Sequence, residues 1–267
     1  MTKTQRFLIW FVGALAVFYV VGSAWVYRLQ RIGIELIRKG DIANLEKHVR
    51  GRSELATYLL GYAYEENQRD MFEMLFEHGA RVNVAKLQTK WGPFPLLHHF
   101  AREDDIYWLK TSFAHGGDPN TKVRFGVTPF SEALDGRKPE NAMAAIAAGG
   151  DIHGQIKQQT YYDKAVGNLL FEPACKMLEM GLDPTKNNNQ FSIAIERIRE
   201  CCTGIGLDGE DVCKAQENEW FQKILAWYHE RDMDIEYATY EPGEKNQPGK
   251  WHIPSRSGGK PANTNPR

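Results

Sequence analysis

Four cysteines are the side chains of this sequence best suited to covalent or metal chemistry. They are Cys175, Cys201, Cys202 and Cys213. They lack the paired two-residue spacing of a zinc site. In an oxidising compartment, the short turn-rich segment before Cys213 would favour a disulfide to Cys201 or Cys202, and we take Cys202–Cys213 as the candidate pair. In a reducing compartment all four would stay thiols, and buried free cysteine is common.

A second candidate for metal chemistry is the pair His98-His99, which is followed by Asp104-Asp105. Adjacent residues on a helix point about 100° apart, so two neighbouring imidazoles do not converge on one ion. The sequence also contains no glycine-rich phosphate loop and no nucleophile elbow. We therefore predict that the protein is not an enzyme, and that it holds no cofactor and no metal ion.

Basic and aromatic residues recur in the polar segments that separate the apolar stretches of the chain. The candidate partner-binding residues are Arg81, Lys86, Lys90, Trp91, Lys122, Arg124, Phe125, Lys157, Tyr161 and Tyr162. They predict a contact face for another protein with an acidic surface, because opposite charge steers association and aromatic rings dominate binding hot spots. The alternative is that these segments are polar because they are solvated turns, and that some of the rings belong to the core.

Glycines recur at a nearly fixed spacing in the segment that must position these residues. They are Gly79, Gly116, Gly149 and Gly181, separated by 37, 33 and 32 residues. A period of about 33 residues is typical of stacked helical repeats. Apolar residues at helical spacing precede each glycine. We therefore predict that each glycine ends a helix in the left-handed conformation that glycine adopts most readily.

A helix-start motif recurs before these glycines. Thr128-Pro129-Phe130-Ser131 and Pro95-Leu96-Leu97-His98 each place proline at the predicted start of a helix. Together with the glycine turns, these motifs resemble ankyrin repeats, whose units carry a threonine-proline-leucine-histidine start and a glycine turn near their end. The resemblance covers residues 32 to 237 and implies an all-α, ankyrin-like solenoid whose turn tips line a concave binding face. Its six units are expected at about 28–52, 53–83, 92–120, 125–153, 159–185 and 189–236.

Residues 7–27 are a run of 21 residues without a charge. As a helix the run would reach about 30 Å, the thickness of the hydrocarbon core of a bilayer. A cleavable signal peptide is the alternative, because Gly22-Ser23-Ala24 resembles a cleavage site. We predict an uncleaved, single transmembrane helix in the inner (cell) membrane. The flanking basic residues slightly favour a cytoplasmic body, whereas the export-like N-terminus favours a periplasmic one, which we adopt.

Composition is that of a folded domain rather than of a fibre, a disordered chain or a multi-span membrane protein. The 267 residues carry a net charge of -1, and 42% of them are hydrophobic. The near-neutral charge also argues against a nucleic-acid partner. The predicted organisation is a short basic N-terminus at 1–6, the transmembrane anchor at 7–27, the repeat domain at 28–237 with an insertion at 201–219, and a disordered tail at 238–267.

The predicted function follows from this layout. A solenoid offers an extended surface instead of a deep pocket, which suits a protein partner. We expect a membrane-tethered adaptor or inhibitor. Its layout is similar to that of bacterial ankyrin-like immunity proteins, which neutralise secreted toxins. The alternative is an assembly or protection factor for an envelope enzyme, or an enzyme with no recognisable motif.

Overall fold

The computed structural model describes residues 3–90, 92–156, 159–184, 198, 218–231, 239–241 and 250–252; it gives backbone alone for 3–9, 11, 13–17, 239–241 and 250–252. The described part is mostly helical, which confirms the predicted all-α class. The chain divides into two compact units, residues 1–121 and 122–267.

The first unit is built from helices that run back and forth between short turns. Its elements are α1 (Lys3–Arg38), α2 (Ile42–Val49), α3 (Ser53–Glu65), α4 (Arg69–Glu77), β1 (Lys86–Thr89), β2 (Gly92–Pro95), α5 (Leu96–Phe100) and α6 (Ile106–Ala114). Apolar side chains from successive helices fill its core, among them the fully buried Leu45, Leu59 and Phe72. Helical spacing of these apolar residues places them on one face of each helix.

The turn between α4 and α5 contains a short hairpin that the helical repeat pattern did not predict. Strands β1 and β2 are antiparallel, with Lys86 opposite Pro95. Leu87 is buried while its neighbours in β1 are more exposed, which is the alternation of a strand with one covered face. The hairpin lies close to α3 at Gly61, where an added Cβ would stand 3.1 Å from the Lys86 carbonyl oxygen.

The second unit repeats the helix-pair arrangement. Its elements are α7 (Pro129–Asp135), α8 (Pro139–Ala147), β3 (Gln155–Ile156), β4 (Gln159–Thr160), α9 (Tyr161–Gly167), α10 (Phe171–Glu179), α11 (Glu219–His229), β5 (Thr239–Glu241) and β6 (Lys250–His252). Helices α7 and α9 each begin with a capping box, formed by Thr128 and by Thr160. Pro129 is the first residue of α7, as predicted, whereas Pro95 precedes α5 as its N-cap.

The four repeat glycines adopt the predicted left-handed conformation. Their φ angles are +82°, +83°, +90° and +90° at Gly79, Gly116, Gly149 and Gly181. Two hydrogen bonds that close a helix C-terminus are present at Gly149. The Gly149 N–H donates to Ile146 O at 3.0 Å, and the Gly150 N–H donates to Ala145 O at 2.9 Å. The helix-ending role read from the sequence is thus confirmed.

The backbone of α1 continues without a break from Lys3 to Arg38. It therefore joins the segment predicted as an anchor to the first helix of the repeat domain. Among the residues described, no helix is long and apolar enough to span a bilayer. Within the segment 7–27, the structure does not describe the side chains of residues 7–9, 11 and 13–17.

Several sequence predictions fall outside the described residues. These are the candidate residues Trp91 and Lys157, the Cys202–Cys213 pair, and all but the last two residues of the insertion 201–219. Within residues 238–267, predicted to be a disordered tail, the described backbone pairs β5 with β6, with Tyr240 opposite Trp251. Threonine, tyrosine and tryptophan favour strands, and the disorder of the tail stays a prediction.

Candidate functional site

Residues 122–127, here called the tip loop, form the most distinctive exposed feature of the second unit. The Val123 N–H donates to Val127 O at 2.9 Å, and the Gly126 N–H donates to Val123 O at 3.0 Å. These two backbone bonds pinch the loop at its base. Arg124, Phe125 and Gly126 therefore occupy a tight turn at its tip.

Phe125 combines exposure with an unfavourable backbone conformation. Its φ is +66°, and 73% of its surface is exposed to solvent. An aromatic residue in the left-handed region costs about 1–2 kcal/mol relative to the ordinary helical region. Exposure of so large an apolar ring gains no burial energy to offset that cost. Strain of this kind is found at functional positions, where it holds a side chain ready for a partner.

The charge around Phe125 is positive. The Arg124 guanidinium carbon lies 4.7 Å from the centre of the Phe125 ring, a distance typical of a cation–π contact. Lys122 and Arg124 are both exposed. The tip loop thus presents one apolar ring in contact with Arg124, with a second exposed cation, Lys122, in the same loop, an arrangement that suits an acidic and partly apolar surface.

Tyr161 was predicted to bind a partner, but it is buried beneath the tip loop and cannot contact one directly. Only 2% of its surface is exposed. Its hydroxyl lies 3.0 Å from Thr128 Oγ1, and its ring packs edge-on against Phe130 at 5.2 Å. Thr128 caps α7 directly after the loop, so Tyr161 supports the loop from below instead of contacting a partner.

Tyr162 is likewise a core residue and not part of a surface. It is 1% exposed, and its hydroxyl lies 3.2 Å from that of Tyr228. Burial raises its pKa well above the ordinary value for tyrosine. The sequence reasoning placed Tyr161 and Tyr162 in the preceding turn, whereas both belong to the first turn of α9 and face inward.

The candidate residues of the first unit differ in their surroundings. Arg81 is exposed, but its guanidinium pairs with the Glu54 carboxylate at 2.6 Å. Lys86 and Lys90 are exposed and lie in the hairpin region. The predicted contact face includes both these lysines and residues of the tip loop, which belong to different units, and it stays a prediction.

The histidines and cysteines of the described part offer no metal site. No group of three metal-ligating side chains occurs there. His98 is fully buried. His99 Nε2 lies 3.0 Å from Tyr64 Oη and 3.1 Å from Glu103 Oε1. Cys175 is buried with a free thiol, and burial raises the pKa of that thiol.

The strain at Phe125 was missed by the sequence reasoning, which chose this residue for its aromatic ring alone. The glycine at 126, two residues before the N-cap Thr128, was a signal for a tight turn here, although it does not indicate a left-handed conformation at Phe125 itself. Comparison with known proteins adds no assignment: no protein-family model matches the chain, and no curated protein matches it. The resemblance to ankyrin repeats accordingly stays a prediction.

Proposed function

We propose that this protein is a membrane-tethered protein-binding module, an adaptor or inhibitor that captures an acidic protein partner with its exposed loops. Residues 7–27 are the proposed membrane anchor, and the helix pairs form an ankyrin-like stack in this proposal. The body is assigned to the periplasmic side of the inner membrane. One version is an immunity protein that neutralises a secreted toxin, as the layout of the sequence suggests.

The observation that carries the proposal is the exposed, left-handed Phe125. Among the side chains that the structure describes outside α1, Phe125 is the one large aromatic ring that is strongly exposed. Its φ is in the left-handed region, Arg124 lies over its ring, and Lys122 is exposed in the same loop. Hot spots of protein interfaces are typically aromatic or arginine side chains of this kind, which a partner covers completely.

Affinity capture with the full-length protein in detergent extracts of its host tests the proposal. Phe125→Ala removes the ring, and we expect it to weaken capture of the partner about thirtyfold, the effect of losing a hot spot of about 2 kcal/mol. Met180→Ala is the matched control, because Met180 is a large apolar residue of the same unit that is 49% exposed. Its capture should equal that of the wild type.

Charge reversal at the tip loop distinguishes electrostatic acceleration of association from direct contact in the complex. Lys122→Glu with Arg124→Glu should slow association and reduce its dependence on salt, since rim charges act mainly on the rate of encounter. Equal recovery of the same proteins by the wild type, Phe125→Ala and the charge-reversed variant would rule out the tip loop as the binding site. Circular dichroism confirms that each variant is folded.

A further inference from the structure

One end of the first unit carries a concentration of positive charge around the point where α1 leaves the packed helices. His48 Nε2 lies 2.9 Å from the carbonyl oxygen of Leu29, so the last turn of α2 returns to the level of Leu29. The turn that follows α2 therefore lies beside this part of α1. We call the five basic residues gathered there the basic collar: Arg28, Arg31, Lys47, Arg50 and Arg52.

The basic collar is exposed, and the two segments that form it contain no acid. All five side chains are exposed. Neither residues 28–34 nor residues 47–53 contain an aspartate or a glutamate. The neighbouring Glu46 pairs with Arg50 at 3.2 Å, and Glu35 and Asp41 are within electrostatic reach of Arg31 and Lys47. Arg52 donates to the His48 carbonyl oxygen, a contact that leaves its charge unneutralised.

The opposite end of the same helices is acidic. Arg38 near the end of α1 pairs with Glu66 at 3.1 Å, which fixes the turn after α3 at that far end. Arg69 pairs with Asp105 at 2.7 Å, which places the turn before α6 there too. Residues 65–70 and 102–105 together hold six carboxylates against two arginines. Charge in this unit is therefore separated along the direction of α1.

The apolar part of α1 begins directly beyond the basic collar. Phe18, Tyr19, Val21, Trp25 and Tyr27 are all exposed there, although they are large and hydrophobic. Exposed apolar surface of this extent normally marks an interaction site. An apolar helical segment followed along the helix by a group of basic side chains fits a membrane, in which the hydrocarbon core is bordered by headgroups.

We infer that the basic collar binds the headgroups of anionic phospholipids in the bilayer that α1 enters, and so holds the first unit against the membrane surface. The inference depends on the proposed anchor at 7–27. Packing makes the junction rigid, because a Cβ on Gly33 would stand 2.6 Å from Leu59 Cδ1, which shows how closely α1 lies on α3. The collar therefore stays at a fixed position relative to the end of the apolar segment.

Hydrogen–deuterium exchange of the full-length protein in lipid nanodiscs tests this inference. Discs of pure phosphatidylcholine are compared with discs that contain about 30% phosphatidylglycerol, an anionic lipid. We expect the amides of residues 50–53 to exchange about tenfold more slowly in the anionic discs. Salt at about 1 M, where the Debye length is about 3 Å, should remove that difference.

Two double variants, each of which replaces two basic residues by glutamate, complete the test. Arg50→Glu with Arg52→Glu should abolish the difference between the two lipids. Arg38→Glu with Lys39→Glu, at the acidic far end, should leave it intact. If the protein is retained in both kinds of disc and the amides of residues 50–53 exchange at the same rate in both, the lipid-binding role of the collar is overturned while the anchor stands. Failure to be retained in either disc would overturn the anchor and the collar with it.

Discussion

Gly149→Ala isolates the cost of a left-handed backbone, because nothing else at this position opposes a side chain. The φ angle of Gly149 is +90°, and an added Cβ would meet no other atom within 4 Å. The left-handed region costs a residue other than glycine about 1–2 kcal/mol. We expect the free energy of unfolding to fall by that amount, which corresponds to a decrease in Tm of about 2–8 °C.

Gly167→Ala is the matched control for this substitution. Gly167 is the last residue of α9 in the same unit, and its added Cβ also meets nothing within 4 Å. Its φ lies outside the left-handed region. Alanine is favoured over glycine in a helix by about 0.5–1 kcal/mol, so this variant should be more stable than the wild type. The same substitution is thus expected to lower the free energy of unfolding at Gly149 and to raise it at Gly167.

Urea denaturation of the full-length protein in detergent, followed by far-ultraviolet circular dichroism, measures both effects. A change in midpoint at constant slope reports a change in stability. Gly116→Ala should behave like Gly149→Ala, because Gly116 also has a left-handed φ and an open surrounding. Stabilisation by Gly149→Ala, or equal effects at Gly149 and Gly167, would refute the helix-ending role of the repeat glycines.

Two further predictions concern the first unit. Gly33→Ala should destabilise it by about 1–3 kcal/mol, because the new methyl group would stand 2.6 Å from Leu59 Cδ1. Leu59→Ala is itself destabilising, since Leu59 is fully buried, but the added cost of Gly33→Ala should be smaller in that background, and denaturation curves of the three variants measure the coupling. Burial lowers the pKa of His99 in the folded protein, so the unfolded chain binds a proton more readily and stability should fall as pH decreases below about 6.5. In His99→Gln the fall between about pH 6.5 and 5 should be smaller, and denaturation midpoints at each pH provide the check.

The helices and their ends were predictable because the signals are local. A glycine after an apolar helical stretch ends the helix through hydrogen bonds to residues three to five positions earlier, so no distant part of the chain is needed. The same holds for Thr128-Pro129, where the cap and the first helical residue are adjacent. These features follow from a few neighbouring residues, and the structure confirms them.

The environment of the aromatic residues could not be predicted in this way. Tyr161 and Tyr162 stand in a polar stretch of sequence, yet both rings are buried because α9 begins at Tyr161 and turns them inward. Phe125 stands in a similar stretch and is exposed, because the pinched backbone from Val123 to Val127 turns it outward. The difference depends on where a helix starts, within a margin of one or two residues, and sequence patterns do not define helix starts that closely.

The basic collar shows why a count of charge along the chain does not locate a feature of this kind. The rest of α1 and the whole of α2 separate Arg28 from Arg50 in the sequence, and the acidic Glu35, Asp41 and Glu46 lie between them. The contact between His48 and Leu29 shows that α2 returns along α1, which brings Arg50 back to the level of Arg28, while Asp41 stands at the start of α2. The window from Arg28 to Arg50 holds six basic and three acidic side chains, so a count shows an excess of positive charge but not that the basic residues gather at one end of the helix hairpin. The separation of charge is therefore a property of helix direction, and the pairing of antiparallel helices must be known before it can be recognised.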